Sequence, residues 1–395
     1  MKKRIVILWI IVFFAAGGVF NSAAQGLTVS GLLDSSVSLN AGAGDAPPFS
    51  FGIEEYLNLR MQARIRDRAI FFGAFNFIAA AGDYAYNARA MADLQSSIYG
   101  MNSSAFVAGE NFIMALELER LHFRILGEHV DFDGGLMRLP FGYGQVWGPS
   151  DFLNPRNPLR PDARPRAVLG ASASWFPAET LRLQGFGAAP RNPFSRNGGG
   201  GLIGLSMDQH WDMASLQALY SFELPKDGSN RGIHRAGMSL KADLEIGLMM
   251  DLLYTYNNEA GTRLDGLSFS IGADYSFFGG SLIVLAEYLY NGSASSTSIA
   301  GGGSFFNEHY LYTGATWRFN DFTNLSAALI SGFSDLSFTP IITLNHDIFQ
   351  GATLTVTAQI PLDRNLFSGN GSHGELGPVR TQRYFNLATR LRLRI

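Results

Sequence analysis

The sequence predicts an all-β fold, a closed antiparallel up-and-down barrel of about 18 strands that spans a membrane. Two observations predict it. Residues 383–395 alternate apolar and polar side chains almost strictly, as a strand with one apolar face and one wet face does. Amphipathic segments then recur from Leu27 to the C-terminus with turn residues between them, and none is long and apolar enough for a spanning helix.

The final strand indicates how the sheet closes. Its apolar positions include Phe385, Leu387 and Leu391, and its polar positions include Arg390 and Arg392. A last strand without a partner would leave an edge prone to aggregation, and pairing with the first strand removes that edge. A barrel with an apolar outside and a charged inside belongs in a bacterial outer membrane. We therefore expect outer-membrane lipid and the barrel-assembly machinery as partners.

The N-terminus predicts export. Lys2, Lys3 and Arg4 precede an apolar run to Ala16, and small residues at 22–24 suit cleavage before Gln25. We predict a signal peptide at 1–24 and a barrel at 25–395. An uncleaved anchor is the alternative, but the apolar run is shorter than the ~20 residues that a spanning helix needs.

The composition excludes several classes of site and partner. The chain has no cysteine, so a lipid anchor on cysteine, disulfides and thiolate metal sites are excluded. Removing residues 1–24 leaves 27 basic residues against 33 acidic ones, a formal charge of −6 that does not suggest nucleic acid. The 45 glycines and 31 phenylalanines suit coiled strands and a lipid-facing wall.

The strands can be assigned in order from alternation and turn residues. Those before the middle of the chain are predicted at 27–40, 54–66, 69–81, 111–126, 130–139, 166–176, 181–188, 201–207 and 211–224. The others are predicted at 232–244, 246–257, 267–277, 281–290, 305–319, 322–333, 336–348, 352–362 and 383–395.

The connections follow the same plan. Short turns come after the even-numbered strands and nearly all long loops after the odd-numbered ones, as in outer-membrane barrels, where short turns are periplasmic. Sixteen strands remain an alternative if one weak hairpin, 111–139 or 181–207, is misread. A series of soluble β-sandwiches would show linkers, and the sequence has none.

The phase of the alternation selects residues that line the lumen. Six arginines are expected to line the lumen: Arg60, Arg64, Arg120, Arg124, Arg390 and Arg392. Closure makes the last, first and second strands neighbours, so the arginine ladders of the second and last strands converge on one side of the wall. Asp34 is expected between them, and the opposite phase of Glu117 and Glu119 predicts a bulge. Lumenal guanidinium groups attract anions. Salt bridges to nearby carboxylates that only stiffen the wall are the equal alternative.

Residues 140–165 form the most unusual loop. Five prolines follow Pro140, with aromatic side chains and a basic edge between them. We expect the loop to fold into the barrel mouth and narrow it, because its aromatic groups need a surface to pack on. A rigid surface loop is the alternative. The candidate constriction residues are Trp147, Asp151, Asn154, Arg156, Arg160 and Arg164.

The segment Arg138-Leu139-Pro140-Phe141-Gly142, with Trp147-Gly148, Asp151 and Asn154-Pro155 after it, resembles bacterial outer-membrane porin-like barrels. The resemblance covers about thirty residues plus the strand plan. It implies a porin-like channel of unspecified cargo. Ile395 departs from the terminal Phe of many such barrels, which puts in doubt only how the assembly machinery reads this end.

No catalytic motif, metal-ligand spacing or cofactor motif appears, so we predict neither an enzyme nor a cofactor or metal site. The predicted function is an outer-membrane channel for passive or substrate-selective diffusion of small hydrophilic solutes, with anions favoured by the arginines. The alternative is a non-conducting surface barrel that acts in adhesion or structure through its outer loops. A homo-oligomer is compatible with the sequence, which does not specify one.

Overall fold

The computed structural model describes residues 26–42, 48–65, 68–82, 104–109, 111–156, 158–159, 165, 167–189, 200–225, 232–257, 266–292, 307–364, 374–377 and 383–395. Statements of absence or number below concern these residues.

Within these ranges, eighteen long strands form one closed antiparallel barrel, which confirms the predicted fold class and strand number. The first nine are β1 Leu27–Gly42, β2 Phe49–Ile65, β3 Ala69–Gly82, β5 Phe112–Ile125, β6 Val130–Met137, β7 Val168–Ala178, β8 Leu181–Ala188, β9 Leu202–His210 and β10 Ala214–Glu223. The second nine are β11 Ile233–Asp243, β12 Gly247–Asn257, β13 Leu267–Phe277, β14 Leu282–Asn291, β15 His309–Asn320, β16 Thr323–Gly332, β17 Ser337–Phe349, β18 Ala352–Gln359 and β20 Arg383–Arg394. Two short strands, β4 Ser104–Ala108 and β19 Leu362–Asp363, pair with β5 and β17.

The barrel closes between its first and last strands, as predicted. Strand β1 pairs with β2 on one side and with β20 on the other, so that Asp34 lies opposite Arg392 and Ser36 opposite Arg390. Closure therefore removes the edge that the final strand would otherwise expose.

Three differences from the predicted strands are structural, and the other boundaries shift by up to four residues. Strand β2 begins at Phe49 rather than residue 54, because it pairs with β1 as far as Ala41. Strand β4 lies in a stretch predicted to be loop. It pairs with residues 113–117 of β5, whereas β6 pairs with residues 121–125 of the same strand. The predicted strand 352–362 is divided into β18 and β19, which pair with different parts of β17.

The two faces of the wall have the predicted chemistry. Outward side chains such as Phe51, Leu205 and Ile271 are 66%, 66% and 53% exposed, which suits a lipid-facing surface. A register shift in the β3–β5 pairing leaves Glu119 as the extra residue, and this confirms the predicted bulge. The described residues contain no helix long and apolar enough to cross a bilayer. A closed barrel with an apolar exterior belongs in the bacterial outer membrane, as predicted.

Candidate functional site

The described residues between β6 and β7 lie inside the barrel. We call these residues, within 138–167, the lumenal loop. Leu139, Phe141, Phe152 and Leu153 are buried in one apolar cluster with wall residues of β7 to β12, among them Val168, Phe186, Leu202, Leu219 and Leu253. The loop therefore covers the inner face of those strands.

A second apolar cluster fixes the middle of the loop farther round the wall. Trp147 is 3% exposed and packs with Leu289, Tyr310 and Ile330, which belong to β14, β15 and β16. Its ring centroid lies 5.4 Å from that of Tyr310. Beyond it, the Leu159 carbonyl accepts a hydrogen bond of 3.3 Å from Gln359 Nε2 at the end of β18. The loop thus follows the inner wall from β6 to β18.

Wall carboxylates and amides hold the loop backbone. The carboxylate of Glu287 accepts three consecutive backbone N–H groups, from Gln145 at 3.1 Å, Val146 at 3.0 Å and Trp147 at 2.7 Å. Asp251 accepts the Ser150 N–H at 3.4 Å. The loop therefore satisfies buried carboxylates that water would otherwise have to solvate.

Other polar residues of the wall beside Asp251 take part in the same hydrogen-bond network. Gln217 Oε1 accepts the Gly142 N–H at 2.6 Å, and Ser239 Oγ donates to Asp251 at 2.5 Å. Ser270 Oγ donates to the Trp147 carbonyl at 3.3 Å. Gln217, Ser239, Asp251 and Ser270 face one another at paired positions on β10 to β13, so they form one continuous polar row.

Hydrogen bonds within the lumenal loop also stabilise its conformation. Asn154 Oδ1 accepts the Leu139 N–H at 2.7 Å, and Asp151 Oδ1 accepts the Phe141 N–H at 3.4 Å. Burial raises the pKa of Asp151, which lies outside the membrane-spanning strands, to about 8, and the positive charge of Arg156 opposes that rise. Asp151 and Asn154 therefore stabilise the loop rather than face the opening.

Two glycines permit the close approach of loop and wall. Gly142 has φ +84°, and a Cβ there would lie 2.3 Å from Asp251 Oδ2. A Cβ on Gly144 would lie 1.7 Å from the Trp147 carbonyl oxygen. A larger residue at either position would displace the loop.

A second segment also folds inward. Leu376, from the chain between β19 and β20, is 1% exposed and packs in the Trp147 cluster. The neighbouring Glu375 accepts hydrogen bonds from the Asn307 backbone N–H at 3.1 Å and from the Tyr310 hydroxyl, and its own N–H donates to Asp335 at 2.6 Å. Residues 374–377 therefore close the cluster around Trp147.

The predicted arginines lie on the part of the wall opposite the loop, and several of them are paired with carboxylates. Arg392 binds Asp34 through two nitrogens at 2.8 Å each, and Arg124 binds Asp133 at 2.7 Å. The buried Glu119 lies 3.6 Å from Arg120, and it also binds Arg138 at 2.8 Å and Asn58 at 2.7 Å.

Other arginines bind neutral groups. Arg60 Nε donates to Asn58 Oδ1 at 2.7 Å, and Arg390 Nε donates to Ser36 Oγ at 3.2 Å. Arg64 is exposed toward the lumen. On the described inner faces of β20, β1 and β2, five arginines face two carboxylates, which leaves a formal charge of +3. The arginines are Arg60, Arg64, Arg390, Arg392 and Arg394, and the carboxylates are Asp34 and Glu54. On β5 and β6, Arg120 and Arg124 lie among four inward carboxylates, which are Glu117, Glu119, Asp131 and Asp133.

The structure thus separates the predicted constriction residues. Trp147, Asp151 and Asn154 are buried between loop and wall, whereas Arg156 is exposed. Arg160 and Arg164 lie outside the described residues. Sequence reasoning missed Gln217, Asp251 and Glu287. Strand β12 carried a signal, because its residues 248–254 are apolar on both faces except for Asp251, and an apolar inner face requires a cover.

Comparisons with known proteins give a likeness of fold. No family model and no curated protein matches the chain. The structure of Acinetobacter baumannii OccAB4 aligns with a TM-score of 0.55 at 10% identity, covering 95% of this chain and 99% of that one. The structure of Pseudomonas aeruginosa OccK5 (OpdH) aligns with a TM-score of 0.55 at 9% identity, covering 94% of this chain and 98% of that one. The structure of Acinetobacter baumannii OccAB1 aligns with a TM-score of 0.54 at 10% identity, covering 95% of this chain and 98% of that one. At such identities the likeness concerns the barrel alone.

Proposed function

We propose that this barrel is an outer-membrane channel through which small hydrophilic solutes diffuse, with a preference for anions. Barrels of 16–18 strands enclose a lumen wide enough for an aqueous path. The described part of the lumenal loop packs on inner-face residues from Val168 of β7 to Ile341 of β17. It leaves uncovered the arginine-bearing strands and the ends of β16, β17 and β18 that lie next to their short turns. The solute path therefore runs between the loop and the arginines.

One observation carries the preference for anions: charge is distributed unequally between the two sides of the path. The described inner faces of β20, β1 and β2 have a formal charge of +3. On the other side, the carboxylates of Asp251 and Glu287 are 0% and 1% exposed, because the loop backbone covers them. A solute in the path therefore meets guanidinium groups and few of the carboxylates, which favours anions.

The test is single-channel conductance of the refolded mature protein in a planar bilayer, with a salt gradient to read ion preference. We expect conductance with anion preference, and a loss of that preference when Arg60, Arg64 and Arg392 are replaced by Ser. Arg68→Ser is the matched control, because Arg68 is exposed in the short turn between β2 and β3.

Each other outcome has a definite meaning. Conductance with cation preference would keep the channel and reject the role of the arginines. An unchanged preference in the triple variant would reject it as well. A refolded barrel without conductance would reject the channel and favour a non-conducting surface protein that acts through its outer loops.

A further inference from the structure

Part of the uncovered wall is rich in hydroxyl and amide groups. Six inward side chains on three adjacent strands form it: Asn324, Thr343, Asn345, Thr353, Thr355 and Thr357. We call this set the hydroxyl–amide surface. Its six members are uncharged, and two charged residues border it: Asp347 accepts a hydrogen bond of 2.6 Å from Thr353 Oγ1, and Arg318 is paired with Asn324. Threonine also suits a strand because its side chain is β-branched.

These residues differ in exposure from the polar residues under the loop. Ser239, Asp251 and Ser270 are 0%, 0% and 1% exposed, since the loop covers them. All six members of the hydroxyl–amide surface are partly exposed, although they point inward. Among the described residues, the loop and the segment 374–377 therefore leave this surface open to the lumen.

The hydroxyl–amide surface lies directly beside the last arginines. Thr355 is paired with Arg390 and Thr353 with Arg392 across the β18–β20 ladder. Neighbouring strands are about 4.8 Å apart, so the distance from β20 to β17 is roughly 10 Å. A six-carbon solute can therefore place its anionic group at Arg390 or Arg392 while its chain lies across β18 and β17.

The surface keeps hydrogen-bonding capacity after its internal bonds are counted. Thr355 Oγ1 donates to Asn345 Oδ1 at 2.7 Å, and Asn345 Nδ2 donates to Asn324 Oδ1 at 3.0 Å. The hydroxyls of Thr343 and Thr357 lie 3.2 Å apart. Each threonine hydroxyl has one donor and two acceptor sites, so these bonds leave acceptor sites directed at the lumen.

We propose that the channel selects hydroxylated organic anions, such as sugar acids or sugar phosphates, which bind with the anionic group at Arg390 and Arg392 and the hydroxyls on the hydroxyl–amide surface. This proposal rests on the proposed channel function. A simple alkyl carboxylate satisfies the arginines alone, and a hydroxylated one also bonds with the adjacent wall.

The test compares gluconate with hexanoate, two six-carbon monocarboxylates that differ in their hydroxyl groups, as blockers of the chloride current. We expect gluconate to block the wild-type channel at about fivefold lower concentration, the effect of one net hydrogen bond. Glucose 6-phosphate, measured in parallel, shows whether sugar phosphates or sugar acids are preferred. Gluconate is the bulkier of the two carboxylates, so exclusion by size would give the opposite order.

The decisive variant replaces Thr353, Thr355 and Thr357 with Val, which keeps the branched shape and removes the hydroxyls. We expect it to lose the gluconate preference while hexanoate block and chloride conductance stay unchanged. The matched control is Thr313→Val with Thr389→Val, because both of these threonines face outward and are exposed.

The outcomes separate the two proposals. Absence of chloride current in the wild type would overturn the channel function itself. A chloride current without a gluconate preference, or a preference that survives in the valine variant, would overturn the selection of hydroxylated anions and leave the channel intact.

Discussion

Replacing Glu287 with Gln tests whether the wall carboxylates hold the lumenal loop. Oε2 accepts the N–H groups of Gln145 and Val146, and Oε1 accepts that of Trp147. Glutamine keeps the size but offers one acceptor, and its NH₂ group then opposes an N–H donor. Loss of one bond to a charged acceptor costs about 1.5–3 kcal/mol. We therefore expect a roughly 10- to 150-fold rise in the population of undocked loop.

The assay uses Trp147 as the reporter. Trp9 lies in the predicted signal peptide, while Trp175, Trp211 and Trp317 are 50%, 54% and 54% exposed against 3% for Trp147. Changing those three to Phe leaves Trp147 as the single tryptophan of the mature chain. Iodide, which enters the aqueous lumen, should then quench its fluorescence more strongly in the Glu287→Gln variant.

Two controls complete the design. Glu308→Gln changes a glutamate whose side chain is 49% exposed and whose carboxylate lies 4.0 Å from His309, so it should leave quenching unchanged. Single-channel current noise provides an independent readout of loop motion. Equal quenching and equal noise in Glu287→Gln and wild type would refute the idea that this carboxylate holds the loop.

Four further predictions concern the same loop and wall. Gly142→Ala should undock the loop and raise iodide quenching of Trp147, because its Cβ would lie 2.3 Å from Asp251 Oδ2. Gly185→Ala should leave quenching unchanged, because the atom nearest to its Cβ would be 3.7 Å away. Leu376→Ala should cost about 2–5 kcal/mol of packing in the Trp147 cluster and also raise quenching, unlike Leu329→Ala on the outward face, where the leucine is 36% exposed. Burial in the docked loop raises the pKa of Asp151 from 3.8 to about 8, so the loop should dock most strongly at acidic pH and less strongly as the pH rises through that interval. Iodide quenching of Trp147 should therefore increase between pH 5 and pH 9. The Asp151→Asn variant should show a flat pH dependence. Asp34→Asn should shift the reversal potential toward stronger anion preference, because it removes the carboxylate that binds Arg392, and an unchanged potential would show that this pair does not influence the path.

The alternation of the sequence was sufficient to predict the wall. Because side chains on a strand alternate between two faces, the phase of Leu57 and Leu59 places Arg60 in the lumen, and the structure has it there. The same logic placed Asp34 between the two arginine ladders, where the structure pairs it with Arg392, and it placed a bulge near Glu119. These inferences succeeded because each depends on neighbours along one strand or on closure of the first and last strands.

The docking of the loop could not be predicted in the same way. Trp147 meets Glu287, which is 140 residues away, and Gly142 meets Gln217, which is 75 residues away. No local pattern specifies which inward side chains a loop will touch. The sequence does show that an inner face such as that of β12, with Met249 and Leu253 on either side of Asp251, is too apolar to line water.

Loop docking and ion preference are therefore two consequences of one arrangement. The docked loop covers Asp251 and Glu287, and an undocked loop would expose both carboxylates to the lumen and reduce its positive potential. Gly142→Ala keeps every charge, so any anion preference it loses must come from loop position. Replacing Arg60, Arg64 and Arg392 removes charge without touching the loop, so it should change ion preference at constant current noise. If Gly142→Ala raises the noise and leaves the preference intact, the covered carboxylates do not influence the path, and the arginines alone determine selectivity.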